Sequence, residues 1–428
     1  MRAANGRSVV ALTLTSMVLL DGSAAAATDP YGVYLIPEAA ADEPHGAGFP
    51  PDYCARPAVF GRTPEDAGRK AVLANNAITT MECSKVCRNP TQFLGATSTT
   101  YTVQSLCTEL KHTHSVTAVE NPKNLANPSC GLGAGNPISV GTGNKYLEEV
   151  DFVAGGNSPL EFRRSYNSRG FGFNRIGQRW TSSYSQRFIF TPGTITAHRP
   201  DGRILIFVDQ GGSSVGDPDV HARVDPFVDP VGETIGWIYT GPNGAVQTYD
   251  PDGRLLDIRH ENGRVENLTY SDGKLVRVED DIGTFLEFGY DVSGRILEMR
   301  AQGGRVWHFH YDTKGDLIAV DNPDGTPRRY HYNEPSLTSG ANLQHALTGV
   351  TDERNERFAT YEYYTDGRAK ASYHAGDAGR VDIEYDDAGG VRVVTVSRER
   401  TRSYSVGTVL GQALPMQLNG AGCQSCGL

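Results

Sequence analysis

The chain has 428 residues, enough for two or three domains, with 40 Lys and Arg against 50 Asp and Glu and a formal net charge of −10. That balance disfavours a nucleic-acid partner, because phosphate binding needs clustered Lys and Arg. No run of eighteen apolar residues occurs, so no membrane span is expected once the leader described next is removed.

Arg2 and Arg7 precede an apolar run at residues 9–20, and a small-residue stretch follows, ending at Ala27. A charged start, a short apolar core and a small-residue cleavage site make residues 1–27 a secretory signal peptide. No Arg pair is present, so the general secretion route is expected, leading to the periplasm, the cell surface or the outside. Residues 28–131 are irregular, and Pro, Gly and Ala dominate up to Pro64. Short helices are expected from Arg69 and from Val103. This region holds Cys54, Cys83, Cys87, Cys107 and Cys130, and the end of the chain holds Cys423 and Cys426. Export places all of them in an oxidising compartment, so they are disulfide candidates. Five is odd, so at least one upstream cysteine pairs elsewhere or stays free.

From residue 132 to 245 the style is short alternating strands with glycine punctuation. Leu160, Phe162 and Arg164 alternate with Glu161, Arg163 and Ser165, the pattern of a half-buried strand. Asp201 and Gly202 mark a hairpin turn, and residues 209–219 read as a loop.

Residues 246–410 are a repeat. Tyr249, Tyr270, Tyr290, Tyr311, Tyr332, Tyr363 and Tyr385 follow one another at steps of 21, 20, 21, 21, 31 and 22 residues. Most are followed by a turn sequence ending in glycine: Gly253, Gly273, Gly294, Gly315, Gly367 and Gly389. The copy at Tyr332 is interrupted by an insertion. Such a period signals units that bury their apolar faces against neighbours. Ahead of each tyrosine, alternation puts Leu286, Phe288 and Tyr290 on one face. It does the same for Trp307, Phe309 and Tyr311; Tyr330 and Tyr332; Tyr361 and Tyr363; and Val381, Ile383 and Tyr385. The aspartate after the tyrosine caps the turn and the glycine supplies positive φ, expected at Gly294, Gly315 and Gly389. The strand after the turn carries Leu256 with Ile258, Val276 with Val278, Leu297 with Met299 and Ile318 with Val320 on one phase. Leu255, Leu275, Ile296 and Leu317 lie on the other. Both faces of that strand thus read as partly apolar, which predicts a curled or doubly covered sheet. Residues 411–428 form a tail that contains the C-x-x-C pair.

No catalytic or cofactor constellation is legible. The turns at Asp250 and Asp321 resemble calcium loops only in composition and lack the distal glutamate. Cys423 and Cys426 have no second pair with which to make a zinc ribbon, and a disulfide is the simpler reading. His112 and His114 beside Cys107 read as solvent-facing, as do His308 and His310. The expectation is therefore no enzyme, no metal and no cofactor.

The repeat residues resemble the tyrosine-aspartate (YD) repeat of the rearrangement-hotspot (RHS) family. Residues 136–190, with the run from Phe162 to Ser168, Trp180 and Tyr184, resemble the module that precedes the repeats in bacterial members. The resemblance implies a mainly β fold in which an antiparallel ribbon spirals into part of a shell that often encloses a C-terminal toxin. With about seven copies and no C-terminal signature, the chain reads as the front of a longer or truncated product. The function so implied is a secreted, non-catalytic scaffold whose partner is a toxin cargo or a missing C-terminal portion. The alternative is a surface protein that binds glycans or another protein through the aromatic stripe.

Overall fold

The computed structural model describes residues 132–170, 175–191, 193–210, 213–396 and 400–420, with residues 66, 67, 70, 123 and 125–128. It also describes six early strands: Tyr34–Ile36, Val59–Gly61, Gln92–Ala96, Thr100–Leu106, Lys111–Thr117 and Val119–Glu120. These make two three-stranded sheets. The leader expected at residues 1–27 and all seven cysteines lie outside the described residues, and so does most of the helix expected from Arg69. The helix expected from Val103 is corrected. Val103 sits in the strand Thr100–Leu106, opposite His114. Its neighbours are threonines and a tyrosine, and β-branched and aromatic side chains favour an extended backbone.

The fold is mainly β. One antiparallel sheet of 22 strands runs from Arg187–Thr191 to Gln412–Gly420, each strand pairing with the next in sequence. The seven tyrosine copies supply the strands from Val246–Tyr249 to Val391–Val396. The sheet also extends in both directions beyond them. Its first strand does not end in open space. Phe188 N donates to Gly253 O at 2.8 Å and Arg187 bridges Arg254, so that edge lies against the first tyrosine turn. Phe188 stacks on Tyr249 with ring centroids 4.1 Å apart. The opening strands therefore close on themselves.

The face chosen by alternation is the buried one. Leu286, Phe288, Trp307, Phe309, Tyr330, Tyr361, Tyr363, Val381 and Ile383 are all buried, while His308 and His310 on the other phase are exposed. The strand after each turn departs from simple alternation. Tyr249 pairs with Leu255 but Thr248 pairs with Asp257, so Leu256 is an extra residue. The same bulge skips Val276, Leu297 and Ile318. A bulge shifts the phase by one residue. Leu255 and Ile258 therefore both face inward, as do Leu275 with Val278, Ile296 with Met299 and Leu317 with Val320. Leu256, Leu297 and Ile318 are turned out to solvent. This replaces the expectation of a second covered face: each strand has one buried face, reached in two phases.

The inner face is covered by the chain's own leading segment. The strands Tyr146–Val153, Glu161–Asn167 and Trp180–Ser182 form a small sheet that packs across the repeats. Phe162 lies 5.5 Å from Phe288, Trp180 lies 5.2 Å from Tyr330 and Phe152 lies 6.0 Å from Trp307, centroid to centroid. All belong to one continuous core. The inside of the curl is filled by side chains from the leading segment.

Candidate functional site: the seam between leading segment and repeats

Each repeat tyrosine after the first, Tyr249, is fastened to the copy before it. The Tyr270 hydroxyl donates to Leu255 O at 2.8 Å, and that of Tyr290 donates to Leu275 O at 2.7 Å. Tyr311 reaches Ile296 O at 2.7 Å, Tyr332 reaches Leu317 O at 2.8 Å and Tyr363 reaches Leu347 O at 2.7 Å. Tyr385 completes the series on Ala369 O at 2.7 Å. The acceptor lies just after the preceding turn, and in all six cases it stands immediately before a residue skipped by a bulge. The ladder of Leu255's strand to the next begins only at Asp257, so the tyrosine supplies the donor beyond the ladder's end. Burial raises the hydroxyl pKa of Tyr270, Tyr290, Tyr311 and Tyr385, so these groups stay protonated donors.

The basic residue after the turn glycine covers the next ring. Arg295 lies 4.5 Å from the centroid of Tyr311, Arg368 lies 4.4 Å from that of Tyr385 and Lys274 lies 5.6 Å from that of Tyr290. The turn aspartate holds this geometry. Asp291 Oδ1 accepts from Ser293 N at 2.9 Å and Arg295 N at 2.8 Å, and its other oxygen accepts from Arg295 Nε at 2.8 Å. Gly253, Gly294, Gly315 and Gly367 have φ between +76° and +83°, and Gly273 has +69°. In the last copy the left-handed residue is Gly390, at +62°, rather than Gly389. There the bulge is absent, and Tyr385 pairs with Arg392 in plain register.

One copy breaks the rule and shows its logic. Asp316 stands where four other copies carry Arg254, Lys274, Arg295 and Arg368, and it is buried. His345, from the insertion after Tyr332, meets it with Nδ1 2.8 Å from Oδ1. The insertion is closed by Asn333, whose N donates to Ala346 O at 2.9 Å and whose Oδ1 accepts from Leu343 N at 2.7 Å. Tyr166 of the leading segment then donates to His345 O at 2.7 Å and accepts from Leu347 N at 2.9 Å. Trp180 Nε1 donates to the Tyr332 hydroxyl at 2.9 Å.

Charge is buried in the same seam. Arg164 donates to both oxygens of Asp151, at 2.5 and 2.8 Å, and to the Tyr330 hydroxyl at 2.9 Å. Burial works against the Arg164 charge, but Asp151, Tyr330 and Glu149 together outweigh it and the pKa stands well above the usual value. Arg328 from the repeats donates to Glu149 at 2.9 Å. Burial raises the Glu149 pKa, against the pull of Arg328 and Arg164. Lys145 is fully buried over the Tyr361 ring at 4.3 Å, and burial lowers its pKa, opposed by Glu149. Buried pairs of this kind add little net stability but punish any other register.

The arrangement can hold two layers in fixed register. Among the described residues no group of three or more His, Cys, Asp or Glu side chains could hold a metal ion. Asp250 is used by Arg254, at 2.7 Å, and Asp321 by His310, at 2.8 Å. The sequence marks the repeat tyrosines, and the left-handed glycine of each turn except the last. Sequence reasoning missed Arg295, Arg368 and Lys274 as ring covers, although their spacing of 16 or 17 residues to the next tyrosine was there to be read. It also missed Asp151, Glu149 and Arg328, for which no periodic signal exists.

Two family models match the chain. Residues 135–207 match a domain of unknown function, DUF6531, and residues 237–409 match the Teneurin YD-shell. The chain is an RHS/YD-repeat protein. The second match begins before the first repeat tyrosine and covers every copy of it. No curated protein matches. Among solved structures, the chain is similar to one described as TcdB2-TccC3-TEV, at 10% identity and a TM-score of 0.30, over 83% of this chain and 24% of that one. It is also similar to the Photorhabdus luminescens Tc holotoxin pore, at 10% identity and a TM-score of 0.22, over 85% of this chain and 25% of that one. The RHS/YD chain thus spans about a quarter of the length of these solved chains.

Proposed function

We propose that this RHS/YD-repeat protein is an exported, non-catalytic scaffold that holds a C-terminal toxin cargo against its β-shell. Residues 132–245 serve as the leading module, residues 246–410 as the repeats and residues 411–428 as a tail. The observation that carries the reading is the hydroxyl-to-carbonyl ladder from Tyr270 to Tyr385, in which every copy fixes the next. Such a device extends a wall and serves no reaction. The burial of Trp180, Trp307, Tyr330 and Tyr361 weighs against glycan stacking on the stripe, because those ring faces are already covered. No helix among the described residues is long and apolar enough to cross a membrane.

The test attaches a small folded reporter after Leu428 and compares its digestion by proteinase K with that of the same reporter and linker alone. Slower release from the scaffold, with no binding of the parent chain to a panel of soluble glycans, is expected. Equal digestion, or a glycan whose binding is lost in Trp307→Ala, would reject the reading.

A further inference from the structure

We propose that the finger at residues 225–236 docks head to tail on the terminal hairpin, residues 400–420, of a second copy of this chain. The finger is the end of the hairpin Arg223–Val228 and Thr234–Thr240. It projects past both neighbours. The pairing of its first strand with the preceding one is at Val224, and the pairing of its second strand with the following one begins at Trp237. Residues 225–236 therefore pair only within this hairpin, Asp225 with Ile238, Pro226 with Trp237, Phe227 with Gly236 and Val228 with Thr234. A lone two-stranded ribbon is marginal in water unless its apolar side chains are covered. Here they are not: Phe227 is 46% exposed, Val228 48%, Val231 82% and Ile235 46%. A contiguous apolar projection of this kind marks a docking surface.

Charge says what covers it. Residues 225–236 carry Asp225, Asp229 and Glu233 and no basic residue. The partner surface must therefore be apolar with a basic border, which disfavours an anionic lipid surface. The chain itself carries such a surface at its other end. Residues 400–420 contain Arg400 and Arg402 and no carboxylate. They expose Val409 at 40%, Met416 at 63% and Leu418 at 37%. Among the described residues these apolar side chains are exposed in the single chain, while the hairpin's tip is held by Lys123 at Leu410 and by Asp219 at Gln412. The contact joins different surfaces on the two copies, so repetition yields chains or a ring.

The experiment uses the full chain. Val231 is replaced by a photo-crosslinking phenylalanine analogue, and this copy is mixed with an isotope-labelled parent so that inter-chain adducts are recognised by mass. Adducts are expected within residues 400–420 of the labelled copy. Sedimentation velocity is run in parallel on Val231→Asp/Ile235→Asp and on Arg400→Glu/Arg402→Glu, after circular dichroism shows that both keep the parent's β spectrum. The parent self-associates, and each double variant does so about tenfold or more weakly, a change of about 1.4 kcal/mol per factor of ten. Mixing the two variants restores dimers and nothing larger, because only one intact finger and one intact hairpin remain per pair. A monomeric parent at its highest soluble concentration overturns the proposal. So does association that survives either double variant, as pairing through the free edge of the last strand would, and so do adducts outside residues 400–420. Binding of the parent, but not Val231→Asp/Ile235→Asp, to neutral lipid vesicles without self-association would assign the finger to membranes instead.

Discussion

The repeat tyrosine does three things at once, and each belongs to a different part of the side chain. Its ring fills the inner face, its negative π face receives Arg295 or its equivalent, and its hydroxyl donates to a carbonyl one copy back. Phenylalanine keeps the first two and loses the third. Tyr311→Phe leaves the half-buried Ile296 carbonyl without this donor, and a loss of about 1–2 kcal/mol is expected from a deleted hydrogen bond of this kind. Denaturant unfolding followed by intrinsic fluorescence checks it, and an unchanged midpoint would mean that water replaces the hydroxyl without cost. At this scale the sequence showed which face Arg164 takes, since it alternates in step with Leu160 and Phe162. It did not show why a guanidinium can lie there. The answer, Asp151 together with Tyr330, involves a residue 166 positions away and has no local signature.

Strands and turns were legible where the period was two and the turn chemistry was explicit. They were misread where one residue was added or moved. The bulge after each turn makes Leu255 and Ile258 share a face three residues apart, and counting in twos placed them on opposite faces. In the last copy the sequence puts the left-handed residue at Gly389, the first of two adjacent glycines, but the backbone uses Gly390. The first turn also has a task that the others lack. Gly253 and Gly367 have the same φ, +83°, yet a Cβ on Gly253 would sit 2.4 Å from Phe188 O whereas one on Gly367 meets nothing within 4 Å. Alanine at either position bears the backbone strain of about 1–2 kcal/mol for a left-handed residue. Only Gly253→Ala must also push the first strand off the turn. It is therefore expected to lower the thermal midpoint more than Gly367→Ala, and matched midpoints would show that closure of the opening strands contributes nothing.

On the scale of the whole molecule, the repeat period announced a ribbon, and a ribbon is what the 22-stranded sheet is. What no period could announce is that the leading segment lies inside it. That segment has its own alternation but nothing that says which surface it meets. Contacts such as Lys145 over Tyr361 and Tyr166 on His345 span more than 170 residues of sequence. Two parts far apart in the chain are also drawn together at the curl's end. Lys123 donates to Asp217 at 2.7 Å, to Asp219 at 2.8 Å and to Leu410 O at 2.8 Å. The central claim is that the leading segment and the repeats form one core. Amide hydrogen exchange read by mass spectrometry on the intact chain tests it most directly, because exchange reports the free energy of opening region by region. The account predicts that residues 161–167 and 180–182 exchange as slowly as the repeat strands at 285–290, 305–311 and 357–363, and that all speed up together in Arg164→Met. Rapid exchange in the leading strands, while the repeats stay protected, would contradict it.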